Sequence, residues 1–116
     1  MSGTSSASDE PILDLLSRVE RLHKSKGFAA AGGEEPHFRM ALLMEEIGEI
    51  CRCMTKDDGD LAEEHADALI VLLGNVVAFG IDIFSVAHRK LDRLERLDPV
   101  VIKGHMRLVT RPAGGS

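Results

Sequence analysis

Glu46 and Glu49 in the string EEIGE, and Glu64 and Asp67 in EEHAD, form two acidic pairs with i,i+3 spacing. That spacing puts both carboxylates of a pair on one side of a helix. Each pair enters an otherwise apolar segment, where an unpaired carboxylate is expensive. Two such helices face to face would make a cage for a hard divalent cation, above all Mg²⁺, with Mn²⁺ as a possible substitute. Helical phase separates the acids further. On the second helix the apolar centre falls near Leu43, Ile47, Ile50 and Met54; Glu46 sits at its edge and Glu49 roughly 60° further round. Glu45 points away, toward solvent. On the third helix Glu64, Val71 and Asn75 share a stripe with Asp67 beside it, and Asn75 could orient a ligand or line a pocket floor. Asp67 is followed by the apolar run Ala68 to Leu73, so a compensating partner is expected for it. Ordinary readings stand beside this one: carboxylates at this spacing are common on solvated helices. Glu64 could simply favour the positive end of a helix dipole, and buried salt bridges to Arg39, Lys90 or Arg93 could satisfy the acids.

A cationic counterpart lies on the fourth helix. Ile83, Val86, Ala87, Leu94 and Leu97 mark its inner face, Lys90 falls near the centre of that face, and Arg93 lies beside it. An inward lysine needs an anion or room to snorkel. A triphosphate would supply the anion; a salt bridge from Lys90 to Asp67 or Glu49 is the alternative. His37 and Arg39, near the start of the second helix, could reach the same ligand. The five histidines include no HExxH spacing, and the run Asp57-Asp58-Gly59-Asp60 lacks the length and terminal glutamate of a calcium loop. No Ser, His and Cys relay suggests a nucleophile. Cys51 and Cys53, at i,i+2, point to different sides of a helix and read as structural thiols.

The elements that must position these residues are helices. Only 3% of the chain is aromatic, with four Phe and no Trp or Tyr, against 44% apolar residues overall. Regular short strands separated by turns are not evident, so packed helices are expected. The first helix starts at Asp9-Glu10-Pro11 and runs to about Lys26, with Ile12, Leu15, Leu16, Val19 and Leu22 on its stripe. Residues 29–35, with Gly32 and Gly33, read as a mobile connection. The second helix starts near Pro36 and ends near Lys56. Asp60, with Glu63 three residues on, forms a capping box for the third helix, which runs to about Phe79 and reads as the most buried of the four. Gly80 stops it, and Asp82 caps a fourth helix ending near Leu97, before Asp98-Pro99. The expected fold is all-α: a compact four-helix bundle-like domain over residues 9–98. A disordered leader over Met1–Ser8 precedes it, and an irregular basic tail over 99–116 follows.

The formal charge is −5, from 19 acidic and 14 basic residues. That is a poor footprint for binding a nucleic-acid backbone, and Lys103, His105, Arg107 and Arg111 in the tail do not reverse it. No run of 18 charge-free apolar residues occurs and no signal-peptide pattern opens the sequence, so no membrane association and a cytoplasmic location are expected.

EEIGE at 45–49, EEHAD at 63–67, Gly-Ile-Asp at 80–82 and a basic fourth helix together resemble the MazG-like all-α nucleotide pyrophosphohydrolases, over roughly residues 11–97. The resemblance implies that Glu46, Glu49, Glu64 and Asp67 are metal ligands and that Lys90 contacts phosphate, with Arg93 as a second cation. It implies cleavage of a nucleoside triphosphate between its α and β phosphates, giving a monophosphate and pyrophosphate, with Glu49 or Glu46 handling the attacking water. Some relatives use Trp and Tyr around a base; here Phe28 or Phe38 could stack on one, or belong to the core. Leu94 and Leu97 stand where many relatives carry Asn and Arg. A homodimer or homotetramer is implied as well. Phosphoribosyl-ATP pyrophosphohydrolysis, and a non-catalytic helical interaction module with a vestigial metal site, are the alternatives.

Overall fold

The computed structural model describes residues 10–110. They form α1 (Glu10–Ser25), α2 (Pro36–Lys56), α3 (Leu61–Phe79), α4 (Ile83–Leu94), β1 (Asp98–Ile102) and β2 (His105–Val109). The class is all-α, with a small two-stranded sheet at the C-terminal end. The chain divides into two compact units after Ile81. The expected leader, Met1–Ser8, lies outside the described residues.

In the first unit α3 packs against both α2 and α1. Among the described residues the buried apolar ones are Val19, Cys53, Ala68 and Leu73, accompanied by two buried polar side chains, His23 and Arg39. Local chemistry fixes the helix ends. Pro36 needs no donor at the first helical position, and the Glu35 carboxylate accepts from Phe38 N at 2.8 Å. Asp57 closes α2 in the left-handed region (φ 52°). The Asp60 carboxylate then accepts from Ala62 N and Glu63 N to start α3. Gly80 ends α3 at φ 61°, a conformation that costs glycine little.

Three expectations change here. The connection between α1 and α2 is folded down rather than loose. Phe28 N donates to His23 O at 3.0 Å and Gly33 N to Phe28 O at 2.7 Å, while Glu34 reaches back to His23 Nδ1 at 2.7 Å. The close packing of Gly33 on the Phe28 ring leaves little room for a side chain there. Helix α3 is also less buried than its composition implies. Only Ala68, Leu73 and Gly74 are buried, and Leu69 and Leu72 remain 45% and 47% exposed. Two neighbouring helices cover two flanks of α3, and an all-round apolar helix has more surface than that. The same holds on α2, where Ile47 and Met54 of the expected inward stripe are exposed, and the buried residues are Arg39 and Cys53.

In the second unit no described residue is buried. Asp82 holds the N-cap position of α4, but its carboxylate accepts from Ser85 Oγ at 2.6 Å rather than from a backbone amide. The helix stops at Leu94, short of the expected Leu97, because Arg96 N and Leu97 N bond three residues back, to Arg93 O and Leu94 O. The segment expected to be an irregular tail is a β-hairpin, paired from Asp98↔Val109 to Ile102↔His105. Its two-residue loop is Lys103-Gly104, with φ 52° and 83°. Two consecutive positive φ values define the type I′ turn, whose twist matches that of the flanking strands. Glycine supplies one of them freely. Among the described residues no single helix is long and apolar enough to cross a membrane.

Candidate metal centre

Of the four acids expected to form a cage, the fold brings three together. One carboxylate oxygen each from Glu46 on α2 and from Glu64 and Asp67 on α3 lie within 4.8 Å of one another. Three carboxylates at that spacing repel, and the repulsion contributes at Glu46 and Glu64. The Glu46 carboxyl is pushed above the ordinary carboxylate range by partial burial, then by the charges of Asp67, Glu45 and Glu49. Glu64 is raised in the same way, by partial burial and by Glu49, Asp67 and Glu46. An all-oxygen donor set under mutual repulsion, drawn from two packed helices, suits a hard divalent cation, whose charge would relieve that repulsion. None of the three belongs to the buried core, so the steep desolvation expected for Asp67 is absent: α3 presents it at the rim of the α2–α3 contact.

Glu49 is not one of this mutually close trio, though it neighbours it. Its carboxylate accepts from Arg52 Nε at 3.2 Å, and Arg52 Nη1 also donates to Asp58 Oδ2 at 3.2 Å. It is nevertheless close enough to be the largest charge acting on Glu64. Asn75, expected to face a ligand, is engaged elsewhere, with Oδ1 accepting from Arg39 Nε at 2.9 Å. Arg39 also donates to Val71 O at 2.9 Å and to Gly33 O at 3.4 Å, and it is only 3% exposed. Burial lowers its pKa, and Glu34 opposes that shift. Arg39 thus ties α2 to α3, and it is possible only because Gly74 carries no side chain: a Cβ there would run into the guanidinium. The sequence marked Arg39 as a possible ligand contact; its clamping role went unseen because it depends on a glycine thirty-five positions away.

At the start of α2, His37 is exposed and pairs with Glu35 at 3.2 Å. Phe38, 47% exposed, lines a cleft of about 610 Å³ together with Phe28, Gly33, Arg39 and Leu42. Leu42 and Glu46 are one turn apart on α2, so the cleft and the acidic cluster lie along the same helix. Lys90 and Arg93 are exposed on α4, in the second unit.

The family model for the MazG nucleotide pyrophosphohydrolase domain matches residues 34–102, from the residue before the α2 cap to the end of β1. No curated protein and no solved structure matches the chain. The family match spans more than half of the sequence and includes all three clustered carboxylates. The chain belongs to the MazG nucleotide pyrophosphohydrolase domain family.

Proposed function

We propose that the protein is a Mg²⁺-dependent nucleoside triphosphate pyrophosphohydrolase that cleaves between the α and β phosphates, releasing a nucleoside monophosphate and pyrophosphate. The observation that carries this reading is the approach of the Glu46, Glu64 and Asp67 oxygens to within 4.8 Å of one another. These three would hold the ion, with Glu49, one turn along α2 from Glu46, completing the acidic set. The chemistry supplied by a bound divalent ion is Lewis-acid polarisation of the phosphate chain and activation of water. Glu49 or Glu46 accepts the proton of the attacking water. For countering phosphate charge, the family resemblance points to Lys90, with Arg93 as a second cation. Phe38 and Phe28, which both line the cleft at the head of α2, offer a stacking surface for the base. From Phe38 to Glu46 the helix rises about 12 Å, a separation suited to a base at one end and phosphates at the other. His37 flanks the same entrance.

A homodimer or homotetramer accompanies this reading. Ile47, Met54, Leu69 and Leu72 are large apolar side chains left exposed by a single copy, and a second copy is the simplest cover for them.

The decisive measurement is Mg²⁺-dependent pyrophosphate release across canonical and modified NTPs and dNTPs, with phosphoribosyl-ATP in the panel. Asp67→Asn should abolish release while leaving the circular-dichroism spectrum unchanged. Full activity in that folded variant would refute the reading.

A further inference from the structure

The Glu49–Arg52–Asp58 bridge borders the acidic cluster, and the roles assigned above leave Arg52 without one. One guanidinium spans two carboxylates, with Nε to Glu49 and Nη1 to Asp58, both at 3.2 Å. Glu49 and Arg52 stand on the same helix at i,i+3 spacing, whereas Asp58 belongs to the connection that leads into α3. The three side chains are 45%, 58% and 58% exposed in the order Glu49, Arg52, Asp58. Ion pairs this exposed are weak and exchange readily. Glu49, in turn, lies on the Glu46 side of α2 and acts electrostatically on Glu64, so the cluster is within its range.

We propose that Arg52 is a positioning residue that holds Glu49 outside the three-carboxylate cluster until a divalent cation displaces it, with Asp58 retaining the released guanidinium. This inference rests on the metal-site reading of Glu46, Glu64 and Asp67. Its physical basis is competition between two cations for one carboxylate. In the metal-free protein Arg52 neutralises one of four neighbouring acids and limits their repulsion. A divalent ion offers twice the charge to the same oxygen, so the exchange runs toward the metal. Asp58 keeps the freed guanidinium paired, which makes the exchange cheap and confines Arg52 to one side of the site. The bridge therefore weakens metal binding slightly and keeps the empty site from being fully repulsive.

The test is a Mn²⁺ titration of the full chain, followed by the electron paramagnetic resonance signal of free Mn²⁺, for the wild type, Arg52→Met, Glu49→Gln and the double variant. An exposed pair of this kind corresponds to a change of about two- to five-fold in affinity. Arg52→Met should therefore tighten Mn²⁺ binding by that factor when Glu49 is present and leave it unchanged when Glu49 is Gln. Arg52→Gln, closer in polarity, should behave as Arg52→Met does. Equal tightening in both backgrounds would mean that Arg52 acts only through its net charge, and would overturn the proposal. Unchanged or weaker binding on removing Arg52 in the Glu49 background would overturn it as well. A wild type that binds no Mn²⁺, or a Glu46→Gln variant that binds as the wild type does, would instead overturn the metal site on which the proposal rests.

Discussion

Gly74→Ala offers the sharpest test of how α2 and α3 are locked together. In an exposed helix interior, replacing glycine by alanine gains about 1 kcal/mol from backbone entropy. At position 74 the new methyl group would meet Arg39 Nη2 and Cζ and lie 3.0 Å from His23 Nε2. A flexible side-chain end could ordinarily step aside, but Arg39 is 3% exposed and bonded to Asn75, Val71 and Gly33. Moving it breaks charge-assisted hydrogen bonds and leaves a buried cation poorly paired, a loss of about 3–5 kcal/mol. The clash therefore outweighs the helix gain, for a net destabilisation of about 2–4 kcal/mol, or a melting temperature lower by roughly 10 °C or more. Urea denaturation and thermal melts of Gly74→Ala, Arg39→Met and the double variant measure it. In the Arg39→Met background the clash with the guanidinium disappears and only the 3.0 Å approach to His23 Nε2 remains, so the cost of alanine should shrink to about zero. A stabilised Gly74→Ala single variant, or an equal cost in both backgrounds, would refute the clamp. Because the same clamp sets Glu46 against Glu64 and Asp67, Gly74→Ala should also weaken Mn²⁺ binding in the protein that remains folded.

Two further outcomes follow from the raised carboxyls of Glu46 and Glu64. Glu64→Gln removes a charge that its neighbours oppose, so it should raise the melting temperature of the metal-free protein at neutral pH while weakening Mn²⁺ binding, as a functional site held at the expense of stability would. The pH dependence has a defined sign. Folded-state values above the unfolded 4.5 mean that these two groups contribute stability fully below that value, and that the contribution is lost as pH rises through their raised values. Metal-free protein should accordingly gain stability from them on mild acidification just above pH 4.5. Metal affinity should move the opposite way and fall over the same window as the ligands take up protons. Melting curves with EDTA and Mn²⁺ titrations at matched pH would record both trends, and parallel trends would refute the coupling.

The helical class, the helix starts at Pro36 and Asp60 and the stop at Gly80 were legible because each depends on residues a few positions apart. Proline and a capping carboxylate act within one turn, and glycine sets its own φ. The phase of the acidic pairs was legible for the same reason, since i,i+3 spacing and helix geometry place them without reference to the rest of the fold. The outcome for Ile47 and Met54 was not. Apolar periodicity identifies a face that avoids water, but which face meets a neighbour within one chain depends on how many neighbours there are. The hairpin at 98–109 was missed because Lys103-Gly104 is a short signal inside a segment read by its charge rather than by its turn.

By itself, then, the sequence determined that Glu46, Glu49, Glu64 and Asp67 ride on two helices with their carboxylates in phase, and its motifs pointed to the family to which the chain belongs. Only the tertiary structure decided which of the four meet. It drew Glu46, Glu64 and Asp67 together across the α2–α3 contact, gave Glu49 to Arg52 and spent Asn75 on Arg39. The physical reason is the range of the interactions. Helical phase is a local property, whereas the partner of a carboxylate or an amide is set by packing between helices, which here turns on a buried arginine and the bare backbone of Gly74.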